Sequence, residues 1–517
     1  MSKDKFVKKS LWVMLFIILG KIFAIIRDAL VAAKFGATYT ADIYNFSIGI
    51  VYLLTTVSYG LTTTFIPLNT NHISNYDREK RNKFVHNVIN SYSIFTILIT
   101  IIMMFLSRYI VITFGGGFTN NIENFNISVK VIRIMLLSLI FISLQSVITG
   151  VLQSHNEFYE PAAMSLVSNL VFIIYLVFFT EKYGIYGFAF ATVISFLAQL
   201  IINLPKYKSL EYGYKPYINL KDSELIKMVS LMMPVIISTS LIQLNNFINR
   251  AFAANIYEGA VTTLDLSNKL NTLAYEVFAI GIAMVIYPTL AKYAVGEDLY
   301  QYKKALLKGI NVIFIIMIPA AVAISILRVP LTTLLFKRGA FDERAVNLTS
   351  NALLFYAPAM IAYGLRDILN KAFYSINDTK SPMINSFIGI IINIILNVFL
   401  VKLMGVSGLT LATSISSTII TVVMLLKLHK KLKGINIIYI LKSFLKILFA
   451  AAVMGVIIFI INNRIIMFLG MNMMGSLISL VACLIVGSLS YFLIIYVLRI
   501  EEILYIINLV KVRVNKN

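Results

Sequence analysis

Four charged side chains inside one apolar stretch carry the first chemical signal in this chain. Lys21, Arg27, Asp28 and Lys34 stand between Gly20 and Phe46, in a segment that turns apolar at Leu11. A charge near the middle of a bilayer helix costs at least ~2.5–3.5 kcal/mol on insertion scales, so a group of them implies a use. At 100° per residue Lys21 and Asp28 stack on one face, while Arg27 and Lys34 stack on a second face roughly 100° away. A Lys21–Asp28 pair buried in a bundle would neutralise one charge of each sign and leave Arg27 over. A helix turned toward a wet, cationic cavity accommodates them all.

Polar stripes recur further along. Asp265, Lys269, Thr272 and Glu276 fall at i, i+4, i+7 and i+11, one face of a helix, with Asp265 and Lys269 in the favoured acid-before-base order. Thr239, Gln243, Asn246 and Arg250 share another face, and Arg366 and Asp367 are followed one turn on by Asn370 and Lys371. Any one stripe could be bundle glue. Stripes on several helices imply a polar cavity with basic groups on both sides. A cavity of that kind suits an anion, with phosphate the natural candidate, because Arg offers a fork to its oxygens and Lys a compact charge. No P-loop, HExxH or GxSxG motif is present, so the chain reads as a transporter rather than an enzyme. The Gly115–Gly117 run reads as a flexible turn.

These charges sit in an all-α frame. The 517 residues are 59% hydrophobic and 13% charged, against roughly 25% charged in soluble domains. That composition defines a polytopic membrane protein without a separate soluble domain. The single cysteine, Cys483, excludes an internal disulfide, and the four histidines have no metal-ligand spacing. The net charge of +22 reads as cytoplasmic loops and contact with membrane lipids, not as nucleic-acid binding. The basic N-terminus and the apolar run after it read as a retained first helix.

Hydropathy predicts about fourteen spanning helices. They fall near 10–35, 43–67, 84–107, 128–152, 159–180, 184–204, 227–253, 262–289, 304–327, 346–372, 382–402, 406–427, 439–462 and 472–498. Pro67, Pro161, Pro288 and Pro382 are expected to mark segment ends. Lys and Arg crowd alternate loops and the tail (Lys511, Arg513, Lys516), which puts both termini in the cytoplasm. Lys337, Arg338 and Arg344 break the bias on the outer side.

An internal repeat sets the architecture. QSHNEFYEPAA from Gln153 aligns with YSINDTKSPMI from Tyr374, an offset of 221 that also superposes Gly184 on Gly405 and Pro67 on Pro288. Six helices separate the copies, an even number, so the repeats are parallel and form two six-helix lobes, with two helices appended. The expected organisation is an N-terminal lobe over 1–205, a cytoplasmic linker over 206–226, a second lobe over 227–430, and helices 13 and 14 with a basic tail over 431–517.

The stretch Arg27 to Tyr44, RDALVAAKFGATYTADIY, resembles the RDA-x-x-A-x-x-FGAG-x-x-x-DAF pattern of the MurJ/MviN lipid II flippase family, within the multidrug/oligosaccharidyl-lipid/polysaccharide exporter superfamily. FIPL, GVLQSHNEFYEPA, YPTLAKY and FYSINDTKSP continue the resemblance along nearly the whole chain. It implies a carrier of lipid-linked peptidoglycan precursor from inner to outer leaflet of the bacterial cytoplasmic membrane, by alternating access. The family's cavity cations would fall on Lys21, Arg27 and Lys269, and its acid on Asp42. With Asp28, Arg250, Glu276 and Arg366 these complete the candidate substrate site. A cation site on helices 7, 11 and 12 would fall on Asn393, Asn397 and Thr413, so the driving force implied is Na+ or the membrane potential, with no other cofactor. The partners implied are lipid II, membrane lipids and the cell-wall synthesis machinery, with the chain a monomer. Where the family carries an Arg pair and a Glu in helix 2, this sequence has Leu53, Leu54 and Ser58, which opens the alternative of another polyprenyl-diphosphate-linked glycan. Two rivals stand beside it: a cation-coupled drug efflux antiporter, and a non-transporting scaffold.

Overall fold

The computed structural model describes residues 3–500 and Glu502; the basic tail residues Lys511, Arg513 and Lys516 lie outside the described residues. The first repeat region runs through α1 (Lys3–Phe35), α2 (Tyr39–Leu54), α3 (Thr56–Asn75), α4 (Arg78–Phe114), α5 (Gly116–Thr119), α6 (Ile122–Leu136), α7 (Ser138–Ser154), α8 (Tyr159–Phe178) and α9 (Thr180–Ser209). The second runs through α10 (Ser223–Ala253), α11 (Ala260–Val295), α12 (Leu299–Phe336), α13 (Glu343–Tyr356), α14 (Ala359–Ser375), α15 (Lys380–Met404) and α16 (Val406–Lys431), followed by α17 (Ile437–Leu469) and α18 (Met473–Val497). No strand occurs among the described residues. The protein is an all-α polytopic membrane protein.

Each of the predicted spans falls on a helix or a broken pair of helices. Among the described residues eleven spans qualify by length and apolarity, two of them the broken pairs α2–α3 and α6–α7, or twelve if the bent pair α13–α14 crosses once. Three breaks were not in the hydropathy pattern. At Thr55 the hydroxyls of Thr55 and Thr56 bond back to the carbonyls of Tyr52 and Leu53, which loosens the turn. At Leu137 the chain tightens, its amide reaching back to Ile134. Ahead of Pro358 the pair α13–α14 bends by 42°. Pro161 and Pro382 open α8 and α15 as expected, whereas Pro67 and Pro288 lie inside α3 and α11, which continue past them.

Short polar residues start the helices. Asp77, Asp222, Asp298 and Asp342 each accept a backbone amide two or three residues on, at 2.8–3.2 Å, and so satisfy donors that the first turn leaves open. The Gly115–Gly117 run is a close approach rather than a flexible turn. A Cβ on Gly117 would sit 1.9 Å from the carbonyl oxygen of Ala254.

Packing divides the chain into two compact units, Met1–Thr262 with Arg338–Phe341, and Thr263–Lys337 with Asp342–Asn517. In the first unit α1 lies along α8, α8 along α9, and α10 against α3, α2 and α4. Its core includes Phe65 stacked between α3 and α4 on Phe84. In the second unit α15 pairs with α16, and α12 carries the appended α17 and α18. The backbone repeats as the sequence does. Asn156 and Asn377 both take positive φ (59° and 58°), as do Gly184 and Gly405 (51° and 57°). The amides of Glu157 and Asp378 return to the carbonyls of Leu152 and Phe373, both at 2.9 Å.

Candidate functional site

In the first unit the charges of α1 are paired differently from the simple helical-wheel expectation. Asp28 accepts from Arg27 through Nε at 3.1 Å and Nη2 at 2.9 Å, so Arg27 is not the charge left over. The Arg27 guanidinium also lies 5.6 Å from the centre of the Phe172 ring on α8. Both groups are mostly covered, with side-chain exposures of 24% and 13%. Arg27 reaches across the angle between its face and that of Asp28 because its side chain is long and its fork planar. Lys21 is exposed one and a half turns earlier, next to Gly20, whose carbonyl accepts from Asn169 at 3.1 Å. Lys34 meets Glu181 at 3.2 Å.

Asp42 does something the sequence did not disclose. Its side chain is buried, and its oxygens accept from the amides of Gly259 (2.7 Å) and Thr262 (2.8 Å) and from the Thr262 hydroxyl (2.7 Å). Asp42 therefore caps the first turn of α11 from another helix. The cap is reciprocal. Glu258 accepts from the amide of Tyr39 at 3.1 Å, the first residue of α2. Asn45, one turn after Asp42, donates to the Thr262 hydroxyl at 3.1 Å. Arg250 packs against α2 at Gly49, where a Cβ would come within 2.8 Å of Nη1. Of the helix-2 positions that differ from the family pattern, Ser58 finds a neutral partner, and Thr56 beside it another. Ser58 and Tyr92 share a hydrogen bond at 2.7 Å, and Ser240 donates to Thr56 at 2.9 Å.

In the second unit Asp265 is buried, and Lys269 and Glu276 are half-buried on α11. Tyr275, beside Glu276, donates to Asp367 on α14, the neighbour of half-buried Arg366. Lys371 lies 5.1 Å from the ring centre of Tyr287. The polar stripes of α11 and α14 thus meet through a tyrosine–carboxylate bond. Asn393, Asn397 and Thr413 come together as expected: Asn393 donates to Thr413 at 3.3 Å and accepts from Asn397 at 3.3 Å, all three buried. The cluster is neutral and spends these donors on its own members.

Phe172, Glu181, Glu258 and Tyr275 are the contacts that sequence reasoning missed. Each contact is made by tertiary packing between separate segments, Phe172 and Glu181 from α8 and α9, Glu258 from the turn before α11, and Tyr275 from α11 onto α14, and none of the four was among the charged positions.

An all-α polytopic chain with an internal repeat and charged side chains set within its apolar helices is the architecture of a membrane transporter. The family described as Lipid II flippase MurJ matches residues 31–485. The chain belongs to that family. A probable lipid II flippase MurJ from Buchnera aphidicola subsp. Acyrthosiphon pisum is 28% identical over 462 residues, covering 88% of this chain and 90% of the relative. A solved lipid II flippase MurJ in an inward closed conformation is 25% identical, with a TM-score of 0.79 over 95% of this chain and 98% of its own. An inward-facing multidrug resistance MATE transporter of the MOP superfamily shares the fold at 14% identity, with a TM-score of 0.66, over 82% of this chain and 98% of its own.

Proposed function

We propose that the chain moves lipid II, the polyprenyl-diphosphate-linked peptidoglycan precursor, from the inner to the outer leaflet by alternating access. The family match over residues 31–485 supports this reading most directly. Lys21 and Arg27 serve as contacts for the diphosphate, with Arg27 held ready by Asp28 and Phe172. Arg250 in the first unit, and Lys269, Arg366 and Glu276 in the second, are further candidate substrate contacts. Asp42 is a positioning residue: it fixes the start of α11 rather than meeting substrate. The two sequence repeats act as the two lobes, both termini face the cytoplasm, and the chain works as a monomer beside the cell-wall synthesis machinery.

An anion that neutralises a cationic site favours whichever state closes around it. An inside-negative membrane potential then favours return of the empty cationic carrier, at ~2.3 kcal/mol per charge per 100 mV. The neutral Asn393–Asn397–Thr413 cluster offers amide and hydroxyl oxygens to a Na+ ion but no carboxylate, so we assign the larger driving role to the potential.

The test is rescue of a bacterium depleted of its own lipid II flippase, with outer-leaflet precursor scored directly. Rescue with restored outer-leaflet lipid II is expected. Normal membrane levels without rescue would refute lipid II as the substrate and move the assignment to another polyprenyl-linked glycan.

A further inference from the structure

A second basic surface lies at the ends of α4 and α6 that adjoin the 115–121 turn and at the start of α9, next to Glu181, the partner of Lys34. Arg108, Lys130, Arg133 and Lys182 are all exposed there. Contacts stitch them into one face. Arg133 donates to the carbonyl of Met104 (3.2 Å) and to the hydroxyl of Ser107 (3.0 Å), the residue before Arg108. Lys130 is one turn from Arg133 on α6 and lies 6.0 Å from the ring of Tyr186 on α9, one turn from Lys182. Arg108 itself rests 5.3 Å from the ring of Phe125 on α6. Among the described residues none of the four is paired with a carboxylate.

The setting is lipid-facing. Arg108 lies about 9 Å of helix rise before the end of α4. It is flanked along the same helix by Phe105 and Tyr109, which are 75% and 67% exposed, and Ile112 beyond is exposed as well. Tyr109, Tyr183 and Tyr186 are exposed beside the cations, and tyrosines of this kind mark headgroup depth. A row of cations at headgroup depth, with apolar surface on either side, none of the four in an ion pair and the neighbouring Glu181 engaged by Lys34, fits a lipid phosphate.

We infer that Arg108, Lys130 and Lys182, braced by Arg133, form a docking site for an anionic glycerophospholipid headgroup. Its leaflet is the one on the side of the 115–121 turn, the outer leaflet under the orientation proposed above. The lipid's phosphodiester meets the guanidinium and ammonium groups, and its acyl chains lie along Phe105 and Phe190. The site holds a lipid of the surrounding bilayer, distinct from the transported one.

The test uses the full chain in detergent, with retained phosphatidylglycerol counted by native mass spectrometry against phosphatidylcholine. Arg108→Gln/Lys130→Gln/Lys182→Gln should weaken phosphatidylglycerol retention by about a hundredfold, on the scale of three charges near a membrane surface. Arg133 stays in place because it ties α4 to α6. A control, Lys80→Gln/Lys208→Gln/Lys221→Gln, removes as much charge from the opposite end and should retain phosphatidylglycerol as the parent does. Equal retention by the patch variant and the parent would overturn the site, as would equal loss in the control. This readout is independent of orientation. The leaflet is read separately by labelling Asn120→Cys in intact cells with an impermeant maleimide. Labelling from outside supports the outer leaflet, and labelling only after permeabilisation overturns that assignment while leaving the site standing.

Discussion

The two repeats agree at their turns and disagree in their charges. Glu157 and Asp378 occupy equivalent places after α7 and α14, in the same backbone conformation, and each meets a lysine near the end of the sixth helix of its repeat. Glu157 pairs with Lys206 at 3.1 Å, and Asp378 pairs with Lys431. The leading helices behave otherwise. At the 221-residue offset Lys21 and Arg27 of α1 fall on Ile242 and Ile248 of α10. Conversely, Arg366 and Asp367 of α14 fall on Gln145 and Ser146 of α7. Packing diverges in step, since α1 lies on α8 whereas its counterpart α10 lies on α3 and α2. What both copies keep is what the fold needs in order to turn at the membrane surface. What only one copy has is free to serve the substrate, and the expensive charges belong to that second group.

The sharpest way to break this comparison is to remove corresponding residues from the two copies. Lys21→Ala/Arg27→Ala should abolish rescue of a flippase-depleted cell at normal membrane levels. Ile242→Ala/Ile248→Ala should retain it, because those positions carry no charge. Equal loss in both would mean that the leading helices matter only as packing.

The reciprocal cap between α2 and α11 predicts a stability effect. Asp42→Ala orphans the amides of Gly259 and Thr262, at about 1–3 kcal/mol for each buried donor left unsatisfied. Thermal unfolding of the purified protein should fall accordingly. Gly117→Ala should lower stability by a comparable amount through its clash with the Ala254 carbonyl, about 1–3 kcal/mol as for other overpacked sites.

The shared turns should give the smallest effects. Burial pushes the Asp378 carboxyl up, but the Lys431 ammonium and the Ser381 hydrogen bonds outweigh it and hold the group down at about 2. Since the folded value is depressed, this stabilisation is present above the ordinary aspartate value of about 3.9 and is lost as pH falls toward 2. Asp378→Asn should flatten the acid limb of a stability–pH curve between those values and lower stability at neutral pH toward the acid value. At the matching turn, burial and then Arg81 push the His155 imidazole down, opposed by Glu157. Its neutral ring is therefore favoured at pH 7, shares a 3.0 Å hydrogen bond with Tyr212, and is destabilised as pH falls below the ordinary histidine value of about 6.5.

Helix positions were legible in the sequence because apolar runs of about 20 residues have few other readings. The repeat was legible for the same kind of reason: Gly184 and Gly405 must both supply positive φ, and a sequence keeps such residues in register. The breaks at Thr55 and Leu137 were not, because hydroxyl back-bonding and a tightened turn leave hydropathy unchanged. Of the site, the unusual charges could be read, but their partners could not. Arg27 was visible as a cost, while Phe172 and its cation–π contact depend on how α8 lies against α1. Asp42 entered the candidate site only through the family resemblance. Its actual partners are backbone amides more than 200 residues away, which no sequence pattern encodes.

The most direct test of the central claim is transport itself. Purified protein reconstituted in vesicles with a fluorescent lipid II analogue should carry the headgroup across the bilayer, and Arg27→Ala should reduce that rate to the level of protein-free vesicles. Transport by Arg27→Ala at the parent rate would contradict the account.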